Sequence, residues 1–323
     1  MVLITGSDWR YSRFEMRWRT LSCMRIRGMA LAVPLALVFI VNSCGGRDAT
    51  SPGGPVLVSH TPMLITSGRG GNVDIYLMEA DGTDARRMTS DPGIDQAADW
   101  STDGFTFAFM SNRDGDFEIY TMLVTGRGLR QLTSNAAVDA FPRWSPDGSR
   151  ILFTSNREGV LNLFVMDADG GNPVRLTRSV GENGAGAWSP DGSRIAFIST
   201  RDGSEELYVM QADGTNPVRL TNNTLIEGSK VAWSPDGTRI AFHAYRDGDA
   251  DLYVIDADGR SLTRLTEGPT QDRFPTWSPD GRRIAFTSDR DGDEEVYVMN
   301  ADGTGPVRLT RSAAPDVLDS WRR

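Results

Sequence analysis

The chain has 323 residues, of which 39 % are hydrophobic, and it contains 34 glycines and 16 prolines. This length and this abundance of turn-forming residues favour one all-β domain over two independent domains. The formal net charge is −9, and because residues 1–43 hold six arginines and only two acidic residues, a product beginning at Cys44 would carry about −13. Such an acidic body excludes a general nucleic-acid-binding protein, which needs a basic face.

The first part of the chain has the order of an export signal. Met24 is followed by two arginines and then by an apolar run of 14 residues, 28–41. That run is short for a membrane span and typical of the core of a signal peptide. We therefore predict a lipoprotein signal peptide over 24–43, and residues 1–23 as a wrongly assigned extension before a true start at Met24.

Cys44 is the predicted site of lipid attachment. The stretch Val-Asn-Ser-Cys at 41–44 resembles a bacterial lipobox, from which Asn42 departs; a simple secretory signal or an uncleaved anchor is the alternative. Gly45 is not the Asp that retains many lipoproteins in the inner membrane, so the resemblance implies a lipid anchor on the periplasmic side of the outer membrane. Residues 44–62 are rich in Ser, Pro and Gly and are expected to form a tether.

The rest of the chain is a repeat marked by tryptophan. Six tryptophans follow one another at intervals of 44 or 45 residues: Trp100, Trp144, Trp188, Trp233, Trp277 and Trp321. In the unit around Trp277, four short apolar runs at 274–277, 283–288, 295–300 and 307–310 are separated by Ser-Pro-Asp-Gly, Asp-Gly and Ala-Asp-Gly turns. Four-stranded units repeated at such a period predict a β-propeller.

The two ends of the repeat region complement each other. Second strands begin near Met63, Phe107, Ile151, Ile195, Ile240 and Ile284, which gives six blades. The region enters its first blade at a second strand, 63–67, and ends on a first strand, 317–321. We predict that these two strands pair antiparallel and close a six-bladed ring over 63–323, leaving no open sheet edge. The tryptophans are expected to pack between blades.

The repeat W-S-P-D-G-x-x-I-A-F-x-S-x-R-D-G resembles that of the TolB-type β-propellers, a WD40-like repeat. The resemblance implies a binding module of the periplasm or cell envelope, although the same repeat also occurs in propellers attached to serine peptidases. TolB carries a separate α/β domain before its propeller, and here only 18 residues lie between Cys44 and Met63. The resemblance therefore covers the propeller and not the whole of TolB.

An acidic position recurs in the connectors between blades and gives the candidate binding residues. It lies five residues before each tryptophan, or six in the blade with an insertion: Asp95, Asp139, Asn183, Glu227, Asp272 and Asp316. Because each connector leads into an innermost strand, these groups are expected near the mouth of the channel. They could hold a divalent cation or a basic group of a partner. The alternative is that each caps its own turn.

A second recurring pair links an arginine in each hairpin with a residue five positions later. The arginines are Arg69, Arg113, Arg157, Arg201, Arg246 and Arg290, and the later residues are Asp74, Glu118, Asn162, Glu206, Asp251 and Glu295. The spacing predicts a cross-strand ion pair within the hairpin.

Catalysis finds little support in the sequence. His243 is the single histidine of the repeats, and it is expected to be packed rather than catalytic. Neither a G-x-S-x-G elbow nor H-E-x-x-H occurs. We predict a monomeric, non-catalytic scaffold that needs no cofactor and engages an envelope protein or a glycan. The alternative is a metal-assisted lyase acting on acidic sugars in the channel, which a cluster of His and carboxylates at one mouth would favour.

Overall fold

The computed structural model describes residues 61–222, 226–246 and 248–323, apart from the side chains of residues 226 and 227. The predictions for residues 1–23, the signal peptide 24–43, Cys44 and the tether up to residue 60 lie outside the described residues. In the part of the chain that is described, no helix has the length and apolar character needed to cross a membrane.

The described residues form six four-stranded antiparallel sheets, which we number as blades in chain order. Blade one consists of β24 (Asp316–Trp321), β1 (Met63–Ser67), β2 (Asp74–Met78) and β3 (Arg86–Arg87). Blade two consists of β4 (Asp95–Trp100), β5 (Thr106–Ser111), β6 (Glu118–Leu123) and β7 (Arg130–Gln131). Blade three consists of β8 (Asp139–Trp144), β9 (Arg150–Ser155), β10 (Asn162–Asp167) and β11 (Val174–Arg175).

The remaining blades repeat this order, with the strand that ends in tryptophan innermost. Blade four consists of β12 (Asn183–Trp188), β13 (Arg194–Ser199), β14 (Glu206–Gln211) and β15 (Val218–Arg219). Blade five consists of β16 (Ile226–Trp233), β17 (Arg239–Arg246), β18 (Asp249–Asp256) and β19 (Thr263–Arg264). Blade six consists of β20 (Arg273–Trp277), β21 (Arg283–Ser288), β22 (Glu295–Asn300) and β23 (Val307–Arg308).

The last strand closes the ring, as predicted. β24 pairs antiparallel with β1, with Met63 opposite Trp321 and Ser67 opposite Asp316. The indole N–H of Trp321 donates to the carbonyl oxygen of Thr61 over 3.0 Å. Blade one is thereby complete, and its backbone groups have partners that would otherwise be missing at an open edge.

The hydrophobic core lies between the blades. Ile284 and Phe286 pack toward blade five with Trp277, whereas Ala285 packs toward blade one. A blade stacked between two neighbours buries both of its faces, which explains why large and small apolar residues alternate along the second strand. All six tryptophans join such clusters; Trp144 is partly buried and the other five are buried. The prediction that they form core is confirmed.

The outermost strands are shorter than predicted. The sequence indicated a strand over 307–310, but β23 contains only two residues. The hydroxyl of Thr310 accepts the N–H of Val296 over 2.9 Å. A side chain thus takes the place of a backbone acceptor and ends the ladder. The same contact recurs in every blade, from Thr89, Thr133, Thr177, Thr221 and Thr266.

The innermost strands contain a bulge that the sequence analysis did not predict. The residue three positions before the tryptophan has a left-handed backbone in four blades, with φ between 54° and 58° at Ala97, Phe141, Ala185 and Phe274. The ladder to the second strand shifts at this point. The bulge bends the inner strand beside the channel.

Candidate functional site

The two ends of the propeller differ in chemistry. The turns that join the first strand to the second and the third strand to the fourth lie at one end of the propeller, which we call the turn face. The hairpins that join the second strand to the third, and the connectors between blades, lie at the other end, the hairpin face. On the turn face the polar groups satisfy their own turns. Hydrogen bonds from Ser145 and Ser149 lower the pKa of Asp147 to about 2. These aspartates build turns and are not free ligands.

On the hairpin face, the candidate residues of the connectors are bound by the arginine of their own blade. The distance from the Arg113 guanidinium to the Asp95 carboxylate is 2.9 Å, and that from Arg157 to Asp139 is 2.7 Å. The same contact joins Arg201 to Asn183, Arg290 to Asp272, and Arg69 to Asp316. The side chain of Glu227 lies outside the described residues.

This pairing corrects the predicted ion pair within each hairpin. The guanidinium of Arg113 lies over the rings of Phe109 and Tyr120, 5.5 and 4.8 Å from their centroids. This stacking on the second and third strands directs the arginine inward to the connector residue. The prediction that Arg69 pairs with Asp74, and likewise in blades two, three, four and six, was wrong because sequence spacing does not show which way a stacked guanidinium points.

The acidic residues at the start of the third strands are bound instead by arginines of the outermost strands. Arg87 lies 2.6 Å from Asp74, and Arg264 lies 2.6 Å from Asp251. Arg219 with Glu206 and Arg308 with Glu295 repeat the contact. Burial raises the pKa of Asp74, although Arg87 counteracts it. The hairpin face is therefore underlain by buried carboxylates, each with its own guanidinium in these blades.

Four of the six predicted connector residues are thus in buried ion pairs, and Asn183 accepts a hydrogen bond from Arg201. Asp95, Asp139, Asn183, Asp272 and Asp316 are all almost fully buried. Among the described residues, no group of three or more His, Cys, Asp and Glu side chains converges to hold a metal ion. A role of these positions in binding remains a prediction.

A separate group of charges lies on the inner strands along the channel, and the sequence analysis missed it. The ammonium group of Lys230 on β16 donates to the carbonyl oxygens of Asp319, at 2.6 Å, and Leu318, at 3.2 Å, both on β24. The carboxylate of Asp319 accepts the hydroxyl of Thr66 over 2.8 Å. Asp99 accepts the backbone N–H of Trp144 over 2.8 Å. The contacts of Lys230 link blade five to blade one, and the contact of Asp99 links blade two to blade three.

Burial controls the electrostatics of this group. It lowers the pKa of Lys230, helped by the positive charge of Arg143, and it raises the pKa of Asp319 and Asp99. One signal in the sequence could have found it, since Lys230 is the only lysine of the chain. A single lysine in a sequence rich in arginine marks a position worth explaining.

Comparison with known proteins identifies the family. The family model described as the TolB beta propeller domain matches residues 49–137, 112–180 and 226–321. The chain belongs to the TolB β-propeller family. Among curated protein sequences, none matches this chain.

Solved structures agree with this TolB-type fold. TolB from Acinetobacter baumannii has a TM-score of 0.72 at 21 % identity, over 83 % of this chain and 68 % of that one. A TolB structure from Agrobacterium tumefaciens has a TM-score of 0.65 at 23 % identity, over 81 % of this chain and 94 % of that one. An oligogalacturonate lyase in complex with manganese has a TM-score of 0.56 at 18 % identity, over 78 % of this chain and 74 % of that one. At these identities the likeness shows the fold alone.

The single histidine of the TolB-type propeller is buried. His243 is 1 % exposed, and its Nδ1 atom has no hydrogen-bond partner among the described residues. Burial lowers its pKa to about 3, so the imidazole is neutral at pH 7. His243 is packed, as the sequence analysis expected. The cluster of histidine and carboxylates that would have favoured a lyase does not occur in the described residues.

A groove of about 730 Å³ lies between blades two and three. Connector residues 132–137 and three residues of the next hairpin, Asn156, Arg157 and Gly159, line it from the hairpin face, and Gly170 and Pro173 of the turn between β10 and β11 line it as well. Two exposed apolar side chains belong to the hairpin face: Val160 in that hairpin is 45 % exposed, and Val180 in the following connector is 90 % exposed. Sequence spacing could not reveal the groove, because it depends on how neighbouring loops are placed.

Proposed function

We propose that this protein is a non-catalytic binding module of the bacterial cell envelope, anchored by a lipid on Cys44, that engages a protein partner through the hairpin face. The observation that carries the proposal is the groove between blades two and three, together with two exposed valines on the hairpin face: Val160 in the hairpin of blade three and Val180 in the connector that follows that blade. A concave surface and exposed apolar side chains on one face are typical of a protein-binding surface. Binding residues generally lie on loops held by a rigid scaffold.

The envelope location rests on the sequence and on the family. The basic start, the short apolar run and Cys44 support export and lipid attachment. The TolB resemblance implies the periplasmic side. We expect Cys44→Ser to move the protein from the membrane fraction to the soluble periplasmic fraction; unchanged fractionation, with no lipid mass on the wild type, would contradict the anchor.

The binding surface is tested with two variants of the lipid-free chain 45–323 used as bait in envelope extract. Val160→Asp with Val180→Asp places charges on the hairpin face and should abolish capture of the partner. Phe105→Asp is the matched control, because Phe105 is 64 % exposed and lies on the turn face. A partner that is captured equally by the double variant, or lost with Phe105→Asp, would refute the proposed surface.

A further inference from the structure

Buried carboxylates at the junctions between blades are matched by equal numbers of arginines at three junctions but not at the junction between blades two and three. At four of the six junctions, the acid that opens the third strand of one blade lies beside the connector acid of the next blade. Between blades three and four these two positions are Asn162 and Asn183, and between blades four and five the side chain of Glu227 lies outside the described residues. At three junctions two carboxylates face two guanidiniums: Asp74 and Asp95 with Arg87 and Arg113; Asp251 and Asp272 with Arg264 and Arg290; Glu295 and Asp316 with Arg308 and Arg69. Pairing of this kind is what makes buried carboxylates tolerable.

The junction between blades two and three lacks one arginine. Glu118 and Asp139 are both present, and both are at most 1 % exposed, but only Arg157 binds there. Gln131 lies opposite Tyr120, where Arg308 lies opposite Tyr297 in blade six. The amide of Gln131 donates to Asp114 over 2.5 Å instead of reaching the junction.

Two carboxylate oxygens remain without partners as a result. Oε1 of Glu118 accepts the N–H of Asn135 over 2.5 Å, but Oε2 has no hydrogen-bond partner, and neither has Oδ1 of Asp139. At the complete junctions one acid at most has such an oxygen, as at Asp251 and Asp316. An unpartnered carboxylate oxygen in a buried position is costly. Among the junctions whose side chains are described, only this one has such an oxygen on both acids.

Two residues that contact the carboxylates of this junction line the groove, although Glu118 and Asp139 themselves do not. Asn135, whose N–H binds Glu118 and whose side chain donates to Asp139 over 2.8 Å, belongs to the lining of the groove. Arg157, the single guanidinium of the junction, belongs to it as well. A positively charged group entering the groove therefore meets the two groups that hold both carboxylates.

We propose that the junction between blades two and three is a receptor for a basic side chain of a protein partner, whose guanidinium or ammonium group takes the position that an arginine of the chain occupies at the complete junctions. A planar guanidinium suits two adjacent carboxylates because it donates in a fixed fork. This inference rests on the proposed function for the nature of the partner, and it adds the chemistry that the partner must present.

The pH dependence of the free protein supports the proposal. Burial raises the pKa of Glu118 to about 7; the Thr133 hydroxyl and the Asn135 N–H counteract this shift, and the neighbouring carboxylates of Asp139 and Asp116 add to it. When the folded-state pKa of an acid is raised, the protein loses stability as the pH rises from the unfolded-state pKa, near 4.5, through the folded-state pKa. A cation supplied at the junction should therefore stabilise the protein more at pH 8 than at pH 5.

Two matched variants of the full-length protein in detergent test whether the missing arginine at this junction affects stability. Gln131→Arg supplies the missing arginine and should raise the melting midpoint by about 2–4 °C at pH 8, and by less at pH 5. Arg308→Gln removes the equivalent arginine beside Glu295 and should lower the midpoint, more at pH 8 than at pH 5. A Gln131→Arg variant that melts as the wild type does at both pH values would overturn the proposal.

Binding is tested with N-acetyl-argininamide and its lysine analogue, using the neutral citrulline analogue as control, by ligand-observed NMR at pH 8. The wild type should bind a charged analogue at least fivefold more tightly than the citrulline analogue, and Gln131→Arg and Glu118→Gln should each abolish this preference. Equal binding by Gln131→Arg and wild type would refute the site, as would saturation of it by Ca²⁺ or Mn²⁺ alone. Because no partner protein is used, this result is independent of the bait experiment.

Discussion

Blades five and six are built from nearly the same repeat, yet they use it differently. In blade six the second and third strands contain six residues each, and the inner strand has its bulge at Phe274. In blade five the first three strands contain eight residues each, and Lys230 stands where blade six has Phe274. The regular blade shows how the repeat builds the fold, whereas the blade with the insertion adds the buried Lys230 and the buried His243 to it.

One glycine explains how blade five accommodates its histidine. A Cβ atom at Gly228 would lie 1.9 Å from Nε2 of His243, far inside contact distance. The equivalent position in blade six is Arg273, which lies opposite Thr287 rather than an imidazole. The pair of Gly228 and His243 is therefore a local exchange of volume between two strands.

We expect the largest effect from loss of β24, the strand that closes the ring. Deletion of 315–323 removes β24, exposes the edge of β1, and takes away the carbonyl oxygens that Lys230 binds. We expect the protein to shift from soluble monomer to aggregate, measured by size-exclusion chromatography. A truncated protein that stays monomeric with an unchanged melting midpoint would contradict the role of this closure.

The next largest effect concerns the charge that distinguishes blade five. Lys230→Ala leaves Asp319 and Asp99 without their nearest ammonium group, and we expect a loss of about 3 kcal/mol in the free energy of unfolding at pH 6.5. Lys230→Met keeps most of the volume and serves as the control. If Lys230→Ala is destabilised but Lys230→Met is as stable as the wild type, the loss of stability comes from lost packing and not from the lost charge, which would contradict the prediction.

A smaller effect tests the exchange of volume. Gly228→Ala should cost about 1–3 kcal/mol by overpacking against His243. His243→Thr, which introduces the residue found at Thr66 and Thr287, should recover most of that loss in the double variant. Additive losses in urea unfolding experiments would show that the two positions do not share one space.

The smallest effect is a pH dependence confined to blade five. Because burial lowers the folded-state pKa of His243 to about 3, stability is lost as the pH falls from 6.5 towards that value. His243→Thr should remove about 1–2 kcal/mol of the fall in stability between pH 6.5 and 5. Parallel stability curves for variant and wild type over this range would exclude the histidine as the cause.

These contrasts show which parts of the molecule the sequence could predict. The second and third strands of blade six begin and end at the predicted residues, because turn chemistry and strand alternation are local signals. The closing strand was also predictable, since its repeat position had no other partner. The outer strand was not, because a threonine hydroxyl ends it. The bulge at Phe274 could not be predicted from the sequence either.

The charged contacts were less predictable than the strands. Asp139 and its relatives recur in sequence and share a contact with a hairpin arginine, but the sequence analysis assigned those arginines to other acids. Arg69 binds Asp316, which lies 247 positions away in the sequence. Contacts that join blades depend on the closed ring, so local spacing cannot supply them.

The single lysine has a practical consequence for finding a partner. Lys230 is 7 % exposed, and no other residue of the chain carries an ε-amine. Amine-directed cross-linkers should therefore fail to attach the propeller to its neighbours in intact envelopes. A negative result with these reagents would not show that the propeller has no partner. Reagents that activate carboxylates suit this acidic surface, since they would couple it directly to the lysines of whatever protein lies against it.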